Sequence, residues 1–319
     1  MNARPYPLRA LGVSAMIFTA FTTSSQAALL VYEGFNYSAG LALNTITPNA
    51  STAGLDKTVA YAGNGAVNYV TGSGLTFGAL TTSGGSISSA ASVTAVGAAK
   101  LSLNTYVGTL WSSYLVSFSS ISNTAVGNGA LTRVANDISN NGERFNSYAD
   151  SRIPSGSPST NIGIAYNAAS NITVGTTALS LDTTYILISK YTNVGSAVNA
   201  GTGTGTLYAL SLSQFNSFLS AGGAESWLNS ASIGTGASNV TGRVSSTNNA
   251  NSTYLFQSGG YAQFVNVNDG VTFDELRYGS TLADVTPVPE PGTLGLAALG
   301  VGTAFLLRRK NGFPTRAAV

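Results

Sequence analysis

Whatever acid–base chemistry this chain performs must be done by carboxylates. Its 319 residues include no histidine and no cysteine, which removes the usual general base, the Ser-His-Asp triad and most zinc sites. A disulfide framework and a thiolate nucleophile are removed with them. Three groups of side chains remain. Asp274 and Glu275 stand next to each other in "VTFDELRYG". Glycan cleavage needs two carboxylates about 5–10 Å apart, whereas neighbours on a regular strand face opposite sides. The pair is therefore expected at a strand end near a turn, unable to reach one bond. "NVNDGVTFDE" collects Asn266, Asn268, Asp269, Asp274 and Glu275. Calcium takes about six to eight oxygens with some negative charge, and this stretch could supply four. An Asn-Asp-Gly hairpin explains the same residues without an ion. The third group is "ERFNSYADSRIPSG", read as a polar, aromatic loop and the densest charged patch of the body. Glu143, Arg144, Tyr148, Asp150 and Arg152 in it would suit glycan contact, or simply a surface salt-bridge cluster. No catalytic residue is assigned, no cofactor is required, and calcium is the only ion with a candidate site.

Composition narrows the partners. Only 8% of residues are charged, against about a quarter in ordinary soluble domains, so Ser, Thr, Asn and Gly must make the surface polar. The formal net charge of +2 comes from the two ends, where Arg4, Arg9, Arg308, Arg309, Lys310 and Arg316 lie. Between Ala28 and Pro287 there are eight basic and eleven acidic residues. A nearly neutral, slightly acidic body with no basic stripe argues against nucleic acid as partner.

Both ends read as addresses. "MNARPYPLRALGVSAMIFTAFTTSSQAALL" has Arg4 and Arg9, then an apolar stretch from Ala10 to Thr23, then small residues around a cut between Ala27 and Ala28. That is the layout of a secretory signal peptide over 1–27. Near the other end, prolines in "TPVPEPG" force an extended segment that a processing enzyme can grip. Fifteen uncharged residues, Thr293 to Leu307, precede Arg308-Arg309-Lys310. As a transmembrane helix this run would be roughly 22 Å long, short of the ~20 residues of a comfortable span. Snorkelling arginines would help it, and the positive-inside rule leaves 311–319 as a cytoplasmic tail.

The motif Val288-Pro289-Glu290-Pro291-Gly292, the apolar run and Arg308-Arg309-Lys310 together closely resemble the PEP-CTERM sorting signal of Gram-negative, exopolysaccharide-producing bacteria. The resemblance implies an exosortase, a membrane transpeptidase, as processing partner. It also implies export through the inner membrane, transient anchoring by residues 286–310, and delivery to the cell surface, outer envelope or extracellular matrix. The nine-residue tail Asn311 to Val319 is longer than such tails often are.

The body, 28–285, is long enough for one large all-β domain. Short stretches rich in β-branched and aromatic residues alternate with Gly/Asn/Ser clusters: "ALLVYEGF", "GAVNYVTG", "GLTFGAL", "SSYLVSFSS", "NIGIAYNA", "TTYILISKYT", "GTLYALSL", "YAQFVNVN" and "VTFDELRYG". Asn268 to Gly270 supplies turn residues for a hairpin between the last two. "GTGTGT" at 201–206 reads as a flexible connection or turn. In "LSQFNSFLSAGGAESWLNSA", Phe215, Phe218 and Leu219 recur at helical spacing with Ser213 as N-cap. One or two short helices are expected there, packed over a sheet edge; Trp111 and Trp227 are expected in core or edge packing.

Many short strands without helical alternation predict a β-sandwich or jelly roll. "LLVYEGFNYSAGLALN", "TTYILISKYT" and "VTFDELRYGSTLADVTP" resemble strands of the concanavalin A-like, LamG-type jelly roll. This resemblance implies two curved antiparallel sheets with the first and last strands adjacent. Laminarinase-like relatives on that fold carry Glu-x-Asp-x-x-Glu on one strand, a motif absent here. The expected function is a non-enzymatic protein of the envelope or biofilm matrix acting by adhesion or exopolysaccharide association. A secreted glycan hydrolase or lyase and a self-assembling coat protein are the alternatives.

Overall fold

The computed structural model describes residues 29–48, 69–78, 80, 82, 84–89, 94–100, 108–120, 130–135, 143–150, 160–166, 173–194, 203–230, 232–234, 238, 240–248, 261–267 and 270–286. The signal peptide, the cut at Ala27 and Ala28, the sorting motif Val288 to Gly292, the apolar run, Arg308 to Lys310 and the tail all lie outside these residues. Among the described residues no helix is long and apolar enough to cross a membrane.

Two antiparallel sheets carry the body. The larger is built from β1 (Leu29–Glu33), β2 (Tyr69–Ser73), β3 (Gly85–Ser89), β5 (Gly108–Ser120), β10 (Thr184–Val194), β11 (Gly203–Leu210), β12 (Gly242–Asn248) and β14 (Gly270–Gly279). Its order is β12-β11-β10-β5-β14-β3-β2, with β1 beside β14. The smaller holds β4 (Thr94–Lys100), β6 (Ala130–Ala135), β7 (Glu143–Asp150), β8 (Thr160–Tyr166), β9 (Thr173–Leu179) and β13 (Tyr261–Val267), in the order β4-β13-β6-β7-β8-β9. This is the all-β jelly-roll sandwich expected, with first and last strands paired.

Strand alternation gives the large sheet two apolar faces. Leu110, Tyr114, Val116 and Phe118 of β5 join Tyr185, Leu187, Phe273 and Tyr278 in the core between the sheets, with Ile162, Ile164 and Leu179 of the small sheet. Trp111 and Leu115 point the other way, with Ile186, Ile188, Tyr208 and Leu210. That outer face would be exposed apolar surface without a cover. The cover is α1 (Leu212–Ser220), α2 (Glu225–Leu228) and α3 (Leu282–Val285). Phe215 and Phe218 of α1 seal it, with Phe77 5.5 Å from Phe215 between ring centres.

Several expectations are corrected. The N-cap of α1 is Ser211, not Ser213: its Oγ accepts from Gln214 N, and Gln214 Oε1 accepts from Ser211 N. The helices lie over the middle of the sheet rather than its edge, because the apolar surface to be covered runs along β5, β10 and β11. "GLTFGAL" is no strand; Leu80 N donates to Phe77 O in a turn that sends both side chains inward. Residues 203–206 of "GTGTGT" open β11 instead of forming a turn. Glycine there lets the two sheets approach closely. A Cβ at Gly205 would meet Ile164 at 3.2 Å, and one at Gly242 would meet Ile162 at 2.9 Å. Finally, β13 and β14 do not make a hairpin: β13 pairs with β4 and β6, and β14 with β5, β3 and β1.

Candidate functional site

The edge of β14 away from β5 is shared by two short partners. β3 pairs with Val271 to Phe273, and β1 with Leu276 to Gly279. At the handover the register against β5 shifts between Asp274 and Arg277, and Glu275 adopts a left-handed φ of 54°. One extra residue bulges out of the strand there. Asp274 and Glu275 are therefore mid-strand and buried, not at a strand end near a turn. The regular alternation on which the opposite-faces argument rested does not hold at the bulge.

Asp274 answers the backbone left unpaired by this break. Its Oδ2 accepts from Leu75 N at 2.7 Å and its Oδ1 from Glu275 N at 2.7 Å. Buried N–H groups need such partners. Glu275 accepts from Tyr32 Oη at 3.2 Å and is bridged to Arg277, whose guanidinium carbon stands 4.7 Å from the centre of the Tyr32 ring. Next door on β1, Glu33 accepts from Phe35 N at 2.6 Å and from Tyr37 Oη at 2.8 Å. Burial pushes the Asp274 carboxyl up to about 8, and the Glu275 charge adds to it. The two backbone N–H bonds and the Arg277 guanidinium pull the other way without offsetting the desolvation.

These carboxylate oxygens are engaged by the protein's own donors, so the cluster serves first to hold β1, the 74–78 segment and β14 together. Among the described residues no group of three or more acidic side chains could hold a metal ion. Asn268 and Asp269 lie outside the described residues.

The patch around Tyr148 is a strand rather than a loop. Residues Glu143 to Asp150 form β7 between β6 and β8. Seven steps at about 3.3 Å place the backbones of Glu143 and Asp150 roughly 23 Å apart. Glu143 and Arg144 thus sit at one end of the small sheet, and Tyr148 and Asp150 toward the other. Arg152 lies outside the described residues. The five residues do not share one loop.

A polar group that the sequence reading overlooked stands on the outer face of the large sheet. Lys190 Nζ reaches both Glu225 oxygens, at 2.6 and 2.7 Å, and lies 5.2 Å from the centre of the Trp111 ring. Asn229 accepts from Tyr208 Oη at 2.8 Å, and Arg243 donates to the carbonyls of Leu228 and Ser230. Burial first, and then the Glu225 charge, push the Tyr208 hydroxyl up to about 12. The available signal was pairing: Lys190 is the register partner of Trp111 on β5. Strand alternation alone could not supply that, because α2 brings Glu225 from 35 residues away. Trp111 is buried and Trp227 partly so, as expected of packing residues.

No curated protein matches the chain. Among solved structures it is similar to peanut lectin, at 9% identity over 67% of this chain and 97% of that one, with a TM-score of 0.37. It is similar also to lectin II from Ulex europaeus, at 11% identity over 66% and 92%, TM-score 0.38. An alginate lyase is similar at 12% identity over 78% and 95%, TM-score 0.37. At the chain's C-terminal side, the family described as the PEP-CTERM protein-sorting motif matches residues 287–310. Residues 287–310 are a PEP-CTERM protein-sorting motif, the mark of an exported, surface-sorted protein.

Proposed function

We propose that this chain is an envelope or matrix protein that acts at the cell surface by contact with exopolysaccharide or other glycans, without turnover. The observation that carries the reading is the sorting motif at 287–310. In this reading residues 1–27 are removed on export, 28–285 are the working domain, and an exosortase processes the chain at Val288 to Gly292 after transient anchoring through 293–307. The charge-poor body supports it, as does the complete lack of histidine and cysteine. So does the use of Asp274 and Glu275 as internal acceptors, which leaves neither placed as a general acid or base. Glycan contact of this kind needs no cofactor. Tyr148 and Asp150 on β7 and the neighbouring Arg152 remain the proposed contact residues, now as one end of a strand.

Mass spectrometry of the protein recovered from its host tests the sorting half: ends near Ala28 and the Pro-Glu-Pro segment are expected, and two intact termini would refute it. For the contact half, the body should be retained on matrix polysaccharide, and Tyr148→Ala with Asp150→Ala should weaken retention. Reducing ends released from that polysaccharide by the native protein, but not by Glu143→Gln, would establish a hydrolase or lyase instead.

A further inference from the structure

Strand register assigns the two faces of the small sheet. Ile162 and Ile164 of β8 lie in the core between the sheets, and directly opposed residues of paired strands share a face. Ala149 and Ser147 of β7 oppose Ile162 and Ile164, so they belong to the core face. Alternation and register carry that face to Phe145, to Val134 and Thr132 of β6, and to Phe264 of β13. Bulky apolar residues on this side are what packing against a second sheet requires.

The outer face of the small sheet carries a different set. Ala98, Gln263, Arg133, Asn146 and Ala165 are successive register partners on β4, β13, β6, β7 and β8, one row straight across five strands. Four steps at about 4.8 Å make that row roughly 19 Å long. Two residues along the strands to one side, Lys100 of β4 opposes Tyr261 of β13. Two residues to the other side, Tyr148 of β7 opposes Gly163 of β8. Glu143 and Arg144 stand at the bulge that opens β7, and Asp150 closes that strand at its far end.

Charge sets these strands apart from the rest of the body. Lys100, Arg133 and Arg144 are three of the eight basic residues between Ala28 and Pro287, while Glu143 and Asp150 are two of the eleven acidic ones. Everything else in that span is left with five basic residues against nine acidic. An anionic chain is therefore drawn to the outer face of the small sheet and repelled by the remainder.

We infer that the row from Ala98 to Ala165 is the docking site of a carboxylated polysaccharide, with Arg133 taking a carboxylate and Gln263 and Asn146 the hydroxyls on either side of it. This rests on the reading of the body as a glycan-contact domain and deepens it by naming the ligand class. A guanidinium fork matches a carboxylate in two parallel hydrogen bonds. The amides beside it both donate and accept, as sugar hydroxyls do. Alanine at both ends of the row adds little height, so an extended chain lies flat across the strands. Tyr261 and Tyr148, one on each side, supply the aromatic groups that line carbohydrate and other small-molecule sites. Tyr148 is thus kept from the sequence-based patch, and Arg133, Gln263 and Lys100 join it from other strands.

The test is retention of the full-length chain, held in neutral detergent, on immobilised matrix polysaccharide. The polysaccharide is used native, and again after its carboxyl groups have been reduced to alcohols. Reduction should weaken retention roughly tenfold, and Arg133→Gln should weaken it on the native form by a similar factor, the loss of one charge-assisted pair. Arg133→Lys, which keeps the charge and loses the fork, should fall between. Lys190→Gln, on the other sheet, should leave retention unchanged. Circular dichroism checks that each variant keeps its sheets, and should Arg133→Gln fail to fold, Arg133→Lys and Gln263→Ala carry the comparison. Equal retention on the native and reduced forms overturns the inference and leaves glycan contact standing. A loss with Lys190→Gln as large as with the Arg133 variants also overturns it, because general charge then explains the binding. So does a preference for the native form that the Arg133 and Gln263 variants leave intact. Chain retained by neither form refutes the glycan-contact reading itself.

Discussion

The large sheet contains the same chemical arrangement twice, a carboxylate, a cation and an aromatic ring, in two different settings. Lys190, Glu225 and Trp111 meet on the outer face under α2, where the charged side chains keep 23% and 35% of their exposure. Arg277, Glu275 and Tyr32 meet at the β14 bulge, where the corresponding values are 7% and 1%. Water screens the first pair and is largely excluded from the second. The half-exposed pair can be lost at little cost, whereas removing one buried partner strands a charge in a medium that cannot solvate it. The position of an ion pair, more than its composition, decides what it does for the fold.

The largest expected effect follows directly. Arg277→Met should destabilise the body by about 3–5 kcal/mol, read by chemical denaturation, and pairing it with Glu275→Gln should recover a good part of that loss. If Arg277→Met costs no more than Lys190→Met, burial is not what separates the two sites. Next comes Tyr32→Phe, which removes one donor to the buried carboxylate while keeping the ring under Arg277. A hydrogen bond to a charged group is worth about 1.5–3 kcal/mol, and stability should drop within that range.

The bulge should also make stability depend on pH. The Asp274 carboxyl is raised from its ordinary 3.8 to about 8 by burial, so the folded state keeps a proton that the unfolded chain gives up. Its contribution is complete below the ordinary carboxylate range and is lost as pH rises toward about 8. The slope inside that window is about 1.4 kcal/mol per pH unit. Denaturation midpoints measured from pH 5 to pH 8 should fall accordingly, and Asp274→Asn should flatten the slope while lowering stability throughout, since an amide cannot accept from both Leu75 N and Glu275 N. A native profile as flat as that variant's would remove the bulge from the account of pH dependence. Smallest of all, Lys190→Met should cost about 0–1 kcal/mol, with the wild-type difference shrinking further in high salt.

How much of this was legible beforehand divides along physical lines. Strands with dense β-branched and aromatic residues, such as β5, β10 and β14, announce themselves because side-chain packing on a pleat is what those residues favour. β3, β4, β6, β9 and β12, made largely of Gly, Ala, Ser and Thr, carry little such signal and were not found. β7 reads as a loop because its polar side chains resemble one. Glycine-threonine alternation in β11 looked like a flexible turn, yet its glycines allow the close approach to Ile164 and Tyr191. The helix over Phe215 and Phe218 is readable from its period, but the period does not separate Ser211 from Ser213 as its cap.

Sequence alone determined the class of architecture, the exclusion of histidine and cysteine chemistry, and the sorting signal, since composition, periodicity and a local ordered motif need no folded context. Only the tertiary structure decided that Asp274 and Glu275 sit buried at a strand bulge and that Lys190 finds Glu225. It also decided that the first described strand and the chain leading to the sorting motif meet at one end of the molecule. The reason is range: each of those facts depends on which distant segments become neighbours, and pairing across the sheet is set by the packing of the whole sandwich rather than by any stretch of residues within it.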